Sequence, residues 1–320
     1  TFSELVEDVL TGDFSFSMED LWEKLGEVAF GELRTQTGLI MQLIAVSILA
    51  AVLRQVSGSF CGREVGEMGF YVCYMVLIVV IITTFYDITA MVVERVEQTA
   101  DIFGAMLPVF LALAASSGNL TQTALMGPTM MGGCTLIVLI LKSVVVPVLL
   151  AAVALELVDR LSEQPLTARF AALLRQGVSW GLKGLAGGFM LLLSLQKIGG
   201  GAVNGLAVRT AKIAVNAVPV VGDVMGGAVE TAAAVAGTIR SGTLAAAVIF
   251  LLLLCIPLVI KLVAMTLIFK LTAAAVESVC EARLVECIGI AGDYTALLLG
   301  VVFLVEVMFL FSSVLLLGVL

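Results

Sequence analysis

Apolar positions in this chain come in long solid runs rather than in alternation. Thr35–Leu53, Met68–Tyr86 and Ser241–Ile260 contain no charged residue. Each approaches the ~20 residues that an α-helix needs to cross ~30 Å of hydrocarbon. They predict spans near 36–55 and 69–86 and a third beyond 241. A transmembrane β-barrel would need alternating apolar and polar positions, which these runs lack. A different pattern follows the second span. In Ile88–Pro108, residues Ile88, Met91, Val92, Val96 and Phe103 share one helical face while the other face is polar. That reads as an amphipathic helix too polar to span alone, ended by Pro108.

From Val109 to Gly133 the chain is uncharged but interrupted by Ser116, Ser117, Gly118, Asn119, Thr121, Gln122 and Thr123. Irregular backbone at membrane depth needs shelter from protein or contact with a wet cavity. The stretch therefore reads as a re-entrant or broken helix, with an extramembrane loop as the alternative. Cys134–Leu157 is a long span with Pro147 inside it, and a further crossing is expected near 178–197. Before the first span, Ser15–Leu33 has the pattern of an amphipathic helix with Ser17 as N-cap and Leu21, Trp22, Leu25, Val28, Ala29 and Leu33 on one face. It reads either as a helix lying on the bilayer or the protein's own body, or as a docking helix for a partner.

The pattern occurs twice. Thr99, Ala100, Ile102, Pro108 and Val109 correspond to Thr210, Ala211, Ile213, Pro219 and Val220. After a one-residue gap, Pro147, Val153, Ala154, Leu157 and Leu161 meet Pro257, Val263, Ala264, Leu267 and Leu271, with Arg160 on Lys270 and Ser162 on Thr272. Coincident Val and Leu mean little in an apolar chain. Coincident prolines mean more, since the chain has only six and two pairs fall in register. The expectation is an internal duplication with units starting near Thr99 and Thr210. Two crossings between equivalent points would make the units parallel, and an odd number would invert them. The second unit's Val218–Gly242 mixes Gly and Ala with Asp223, Glu230, Thr231, Thr238 and Arg240. It reads as pore lining or tight helix packing, with a surface amphipathic helix as the alternative.

Composition agrees with the pattern. The 320 residues are 61% hydrophobic and 13% charged, with a mean hydropathy of +1.15, against roughly 25% charged in soluble domains. The fold class is all-α, a polytopic helical membrane protein with an internal duplication and broken or re-entrant segments. The net charge of −8 is concentrated at the start: residues 1–33 hold nine acids against Lys24 alone. Arg54 and Arg63 in the first connection, and Arg160, Arg169, Arg175 and Lys183 later, favour the cytoplasmic side. The acidic N-terminal segment is therefore expected outside the cytoplasm. The chain starts with Thr, without a basic and apolar leader, which reads as a trimmed or mature form.

Three charges sit inside apolar runs. Lys142 follows the uncharged Ile102–Leu141, Lys261 ends the uncharged Ser241–Ile260, and Glu306 lies within "LLLGVVFLVEVMFLFSSVLLLGVL". A charge at the bilayer centre costs roughly 2.5–3.5 kcal/mol on insertion scales. Such residues mark an ion path or a helix–helix pair, while a lysine can also snorkel to the interface. The candidate pore or packing residues are Pro108, Ser116, Ser117, Gly118, Asn119, Pro219, Asp223 and Glu230. With no histidine in the chain, Ser/His, Cys/His and HExxH chemistry is excluded. The six cysteines show no metal-type spacing, and there is no GxxxxGK[ST] loop. No enzyme activity, catalytic residue, cofactor, metal or nucleic-acid partner is expected.

"LPVFLALAASSGN" (Leu107–Asn119), "VRTAKIAVNAVPVVGDV" (Val208–Val224), "IFKLTAAAVE" (Ile268–Glu277) and the acidic "TGDFSFSMEDLWEKL" resemble the stage III sporulation protein AE family of endospore-forming bacteria. The resemblance covers nearly the whole chain. It implies a multi-pass protein of the mother-cell membrane around the forespore. It also implies a subunit of a secretion-like channel, or feeding tube, needed for late forespore gene expression. The implied partners are the other stage III sporulation A-operon proteins, including a separate ATPase subunit, and stage II sporulation protein Q across the intermembrane space. A homo-oligomer in the lipid bilayer is compatible with it. Two other readings stay open: a stand-alone secondary transporter using intramembrane charges, and a membrane scaffold for other subunits.

The expected organisation is an acidic amphipathic segment (1–34), the first two spans (35–90), repeat unit 1 (91–165), a connecting helix and span (166–200), repeat unit 2 (201–276) and a C-terminal helix and span (277–320).

Overall fold

The computed structural model describes residues 31, 34–57, 63–116, 120–160, 167–198 and 242–318. Seven α-helices run through them: α1 (Thr37–Ser57), α2 (Arg63–Ser116), α3 (Leu120–Ile140), α4 (Val146–Asp159), α5 (Ala168–Ile198), α6 (Gly242–Val276) and α7 (Ala282–Gly318), with a π-helical turn at Leu141–Val145 joining α3 to α4. Among the described residues, four stretches are long and apolar enough to cross a membrane: Met68–Pro108, Met130–Asp159, Cys255–Val276 and Ala282–Leu315. The protein is thus all-helical and multi-pass.

The second span and the amphipathic helix expected at 88–108 are one helix. α2 runs unbroken for 54 residues, about 80 Å at ~1.5 Å per residue. The reason lies in its buried side. Tyr74, Leu77, Ile81, Phe85, Ile88, Val92, Val96, Phe103 and Leu107 form one continuous buried stripe. Asp87, Glu94, Arg95 and Asp101 lie on the outer face, and the buried Thr89 and Thr99 bond to the preceding turn, so nothing ends the helix there. Pro108 lies inside the helix and is exposed. It removes one hydrogen bond, and the packing before it carries the helix on to Ser116. Of the broken segment expected over 109–131, residues up to Ser116 close α2 and those from Leu120 open α3. Residues 117–119 lie outside the described set.

Two other expectations change in degree. α1 forms where a span was expected, but its apolar part, Thr37–Leu53, is shorter than the four long stretches. α5 forms around the expected 178–197 crossing, but Arg169, Arg175 and Lys183 keep it from being apolar along its length. It is one-sided instead, burying Ala171, Val178, Leu182, Ala186, Phe189 and Leu193.

Contacts fix the helix directions. Tyr74 meets Cys287, Phe85 meets Tyr294 and Phe103 meets Phe309, so α2 and α7 run parallel. The α3–α4 column opposes both: Lys142 reaches Glu97, Tyr74 reaches Leu157, Tyr294 reaches Glu156 and Cys134 touches Ser312. α6 also opposes α7, with Cys255 at Glu306 and Lys270 at Asp293. α5 folds back along α4 and α3, from Thr167 at Asp159 to Leu192 against Gly133. α4 and α6, which carry the matched prolines Pro147 and Pro257, therefore point the same way, as parallel units require. Most of the second unit lies outside the described residues, so the duplication stays a proposal.

α7 is the axis of the bundle and the most enclosed of the four long helices. Tyr294, Leu298, Val302, Val305 and Phe309 are fully buried, as expected of a helix that is apolar on nearly every side. Between lipid-soluble helices the hydrophobic effect supplies little, so close packing and polar contacts hold the bundle together.

The π turn answers Pro147. A proline there has no N–H for the Ser143 carbonyl, and its ring would crowd that oxygen. The wider turn moves the strain away: Val146 N–H reaches back to the Leu141 carbonyl, and Pro147 takes one of the first positions of α4, where no intrahelical donor is needed.

Candidate functional site

Two layers of charged groups link the helices of the bundle. The first lies where α4 and α6 end and α5 and α7 begin. Arg160 pairs with Glu286, and Lys270 pairs with Asp293. Asp293 also faces Arg175, with Nη2 3.6 Å from Oδ2. The Arg175 guanidinium stands 5.4 Å from the centre of the Tyr294 ring, and the Tyr294 hydroxyl donates to Glu156 at 2.7 Å. Tyr74 and Cys287 meet at 2.8 Å, and Tyr74 donates to the Leu157 carbonyl at 3.4 Å. Asp159 is buried and accepts from the backbone N–H and hydroxyl of Thr167 at 2.6 and 3.0 Å, tying α5 to α4.

Arg160 and Lys270 are equivalent under the 110-residue offset, and each takes an acid of α7. Those acids, Glu286 and Asp293, stand two helical turns apart on one side.

The second layer holds two of the three intramembrane charges. Lys142, on the π turn, is ion-paired with Glu97 of α2, both about half-exposed. Glu306 is buried on α7, where the Cys255 thiol of α6 donates to it. Between Lys142 and Glu156, and again between Asp293 and Glu306, the chain carries no charge. Each interval is about 20 Å of helix, less than the ~30 Å of hydrocarbon. Two layers this close cannot both sit at the two faces of an undeformed bilayer without side-chain reach. Lys261 is half-buried on α6 between them.

Large apolar side chains occupy the core between the layers. Phe85, Phe269, Leu262 and Leu298 are among its fully buried side chains. Beside the Lys142–Glu97 pair is a shallow cleft lined by Val92, Val96, Val138, Leu141, Val146 and Val301. Its polar groups are the ion pair itself.

Pro108 points outward on α2, and Ser116 is the last residue of that helix. Ser117, Gly118, Asn119, Pro219, Asp223 and Glu230 lie outside the described residues. Glu97, Cys255 and most of the first layer were not singled out from sequence. The available signals were the match of Arg160 to Lys270 and the basic cluster that includes Arg160 and Arg175.

Among the described residues, no cluster of three or more Cys, Asp and Glu could hold a metal, and Cys73, Cys134, Cys255, Cys280 and Cys287 are not in disulfides. Burial pushes the Cys280 thiol, in the turn between α6 and α7, above its usual range. It is a weak nucleophile at neutral pH.

No solved structure matches this chain. It is 25% identical over 310 residues to stage III sporulation protein AE of Bacillus subtilis (strain 168), covering 95% of this chain and 77% of that protein. A family model described as stage III sporulation protein AE matches residues 1–319, so every helix and both charged layers fall inside the match. The chain belongs to the stage III sporulation protein AE family.

Proposed function

We propose that this protein is a non-enzymatic membrane subunit of the secretion-like channel that joins mother cell and forespore, with its acidic N-terminal segment outside the cytoplasm. The observation that carries this reading is how the intramembrane charges are used. Lys142 is paired to Glu97, and Glu306 is buried and held by Cys255. Charges used as clamps between helices support a packed subunit over a solute pump, which needs charges facing a wet, alternating site. A conduit then runs between chains, or along the segments 109–131 and 220–242 that were expected to line or plug it. Energy would come from a separate ATPase subunit, since this chain has no phosphate-binding loop. The partners are the other stage III sporulation A-operon proteins and stage II sporulation protein Q.

The test is cysteine accessibility scanning through 108–131 and 219–242 in assembled complexes, paired with reconstitution of the chain alone. Aqueous labelling in the complex and no solute flux by the lone chain support the proposal. Flux by the lone chain that Glu306→Gln abolishes would establish the transporter reading instead. That second reading draws on the buried position of the Glu306 carboxyl.

A further inference from the structure

The outer face of α2 carries acids at a height where the neighbouring helices are apolar. Asp87, Glu94 and Asp101 are exposed at seven-residue steps, so they form one stripe. Phe85 meets Tyr294 and Phe103 meets Phe309, which sets the stripe level with Tyr294–Phe309 of α7. That stretch has one charge, the buried Glu306. Carboxylates exposed to lipid at such a depth are costly. Among the described residues no base is ion-paired with any of the three.

The stripe begins where α1 stops. Leu53 lies against Gly69, and α1 runs back along α2 from that point, so its start at Thr37 is level with Phe85. Asp87 stands about five full turns above Gly69 and therefore on the same side of α2. The acids continue the track that α1 covers, on the part of α2 that α1 does not reach.

The chain between α5 and α6 leaves and re-enters the bundle at the end toward which the stripe runs. Leu192 lies against Gly133, Cys134 touches Ser312 and Cys255 is at Glu306. Counted along the helices, Ile198 and Gly242 both come level with Gly318 at the end of α7. Asp101 is ~18 Å and Glu94 ~28 Å below that level. Arg209 and Lys212 follow Ile198 by ~16 and ~21 Å of chain as helix, and by about twice that where it is extended.

The charges are complementary. Read as a helix, Val208–Pro219 puts Arg209, Lys212 and Asn216 on one face and Ala211, Ala214, Val215 and Val218 on the opposite one. When Thr99 is aligned with Thr210, Gln98 and Asp101 match Arg209 and Lys212, so equivalent positions carry unlike charge. The segment 1–33, with nine acids against Lys24, would be repelled by the stripe.

We propose that residues 208–219 pack on the outer face of α2 beyond α1, with Arg209 against Asp101 and Lys212 against Glu94. The pairing is independent of whether the assembly conducts.

The experiment is disulfide cross-linking of the full chain in phosphatidylethanolamine/phosphatidylglycerol vesicles, with the linked peptides identified by mass spectrometry. D101C/R209C and E94C/K212C are expected to link within one chain. Leu139 is exposed on α3 at the height of Asp101, and L139C/R209C should link about tenfold less. Adding Lys212→Glu should lower the D101C/R209C yield about threefold. Adding E94K/K212E instead should restore it, which a general folding defect would not do. The proposal is overturned if neither pair links, if L139C/R209C links as well as D101C/R209C, or if E94K/K212E restores nothing. It is equally overturned if chains carrying D101C alone link to chains carrying R209C alone while the double-cysteine chain does not link internally, because a second copy would then cover the stripe.

Discussion

Lys142 of the π turn and Glu97 of α2 form an ion pair across 45 residues of sequence. The pair joins the two arms of the α2–α3 hairpin at a depth where a lone charge is costly. Each side chain is half-exposed, so in water the pair would contribute ~0–1 kcal/mol. Polar contacts between membrane helices average ~0.6 kcal/mol with a maximum near ~1.7. A double-mutant cycle of Lys142→Met and Glu97→Met, read by unfolding in bicelles, should give a coupling of ~0.5–1.5 kcal/mol. A coupling of zero would mean that the two charges act independently.

Pro147 is the cause assigned to the π turn, and the turn sets where Lys142 points. In Pro147→Ala the Ser143 carbonyl gains a donor, and the turn should tighten to α-helix. Lys142 would then rotate away from Glu97. Disulfide yield between E97C and K142C is expected to fall in the Pro147→Ala background and to stay high with Pro147 present. Equal yields would remove the link between the proline and the pair.

Glu306 separates structure from function. Replacing a buried polar pair by apolar groups of similar size is often neutral or stabilising. Glu306→Leu should therefore leave thermal stability within ~1 kcal/mol, while Glu306→Ala opens a cavity and costs ~2–4 kcal/mol. If Glu306 serves only packing, spores form normally in Glu306→Leu and poorly in Glu306→Ala. Failure of sporulation in a stable Glu306→Leu protein would assign the carboxyl a direct task.

Gly292 and Gly300 lie two turns apart on α7 and should respond differently to alanine. A Cβ at Gly292 would stand 3.2 Å from Lys270 Cγ and Cε and 3.3 Å from Phe269 Cβ, while one at Gly300 meets nothing within 4 Å. Gly292→Ala should push α6 off α7 beside the Lys270–Asp293 pair and cost ~1–3 kcal/mol by overpacking. Gly300→Ala should be neutral or slightly stabilising through helix propensity, by up to ~1 kcal/mol. Melting temperatures of the two purified variants check the contrast.

Much of the fold was legible because runs of apolar residues are local information. The 69–86 and 134–157 spans and the buried face of Ile88, Val92, Val96 and Phe103 emerge as expected. Lys142 and Glu306 could be identified as charges needing an explanation, but not their partners. Glu97 and Cys255 lie 45 and 51 residues away, and only the directions of the helices bring them close. The polar residues 87–101 misled for a related reason. Most of them mark the outer face of a helix whose inner face is continuous, and a sequence window does not show which face has neighbours. The π turn was illegible because it is the backbone's adjustment to Pro147.

The unbroken α2 also has a mechanical consequence. No proline interrupts it from Arg63 to Leu107, and its inner side is bolted to α7 by Tyr74, Phe85 and Phe103 at successive heights. A rod of ~80 Å cannot be contained in ~30 Å of hydrocarbon. A push or pull on the part that projects is therefore delivered to the rest of the bundle as a shift of the whole rod, with no hinge along that length to absorb it.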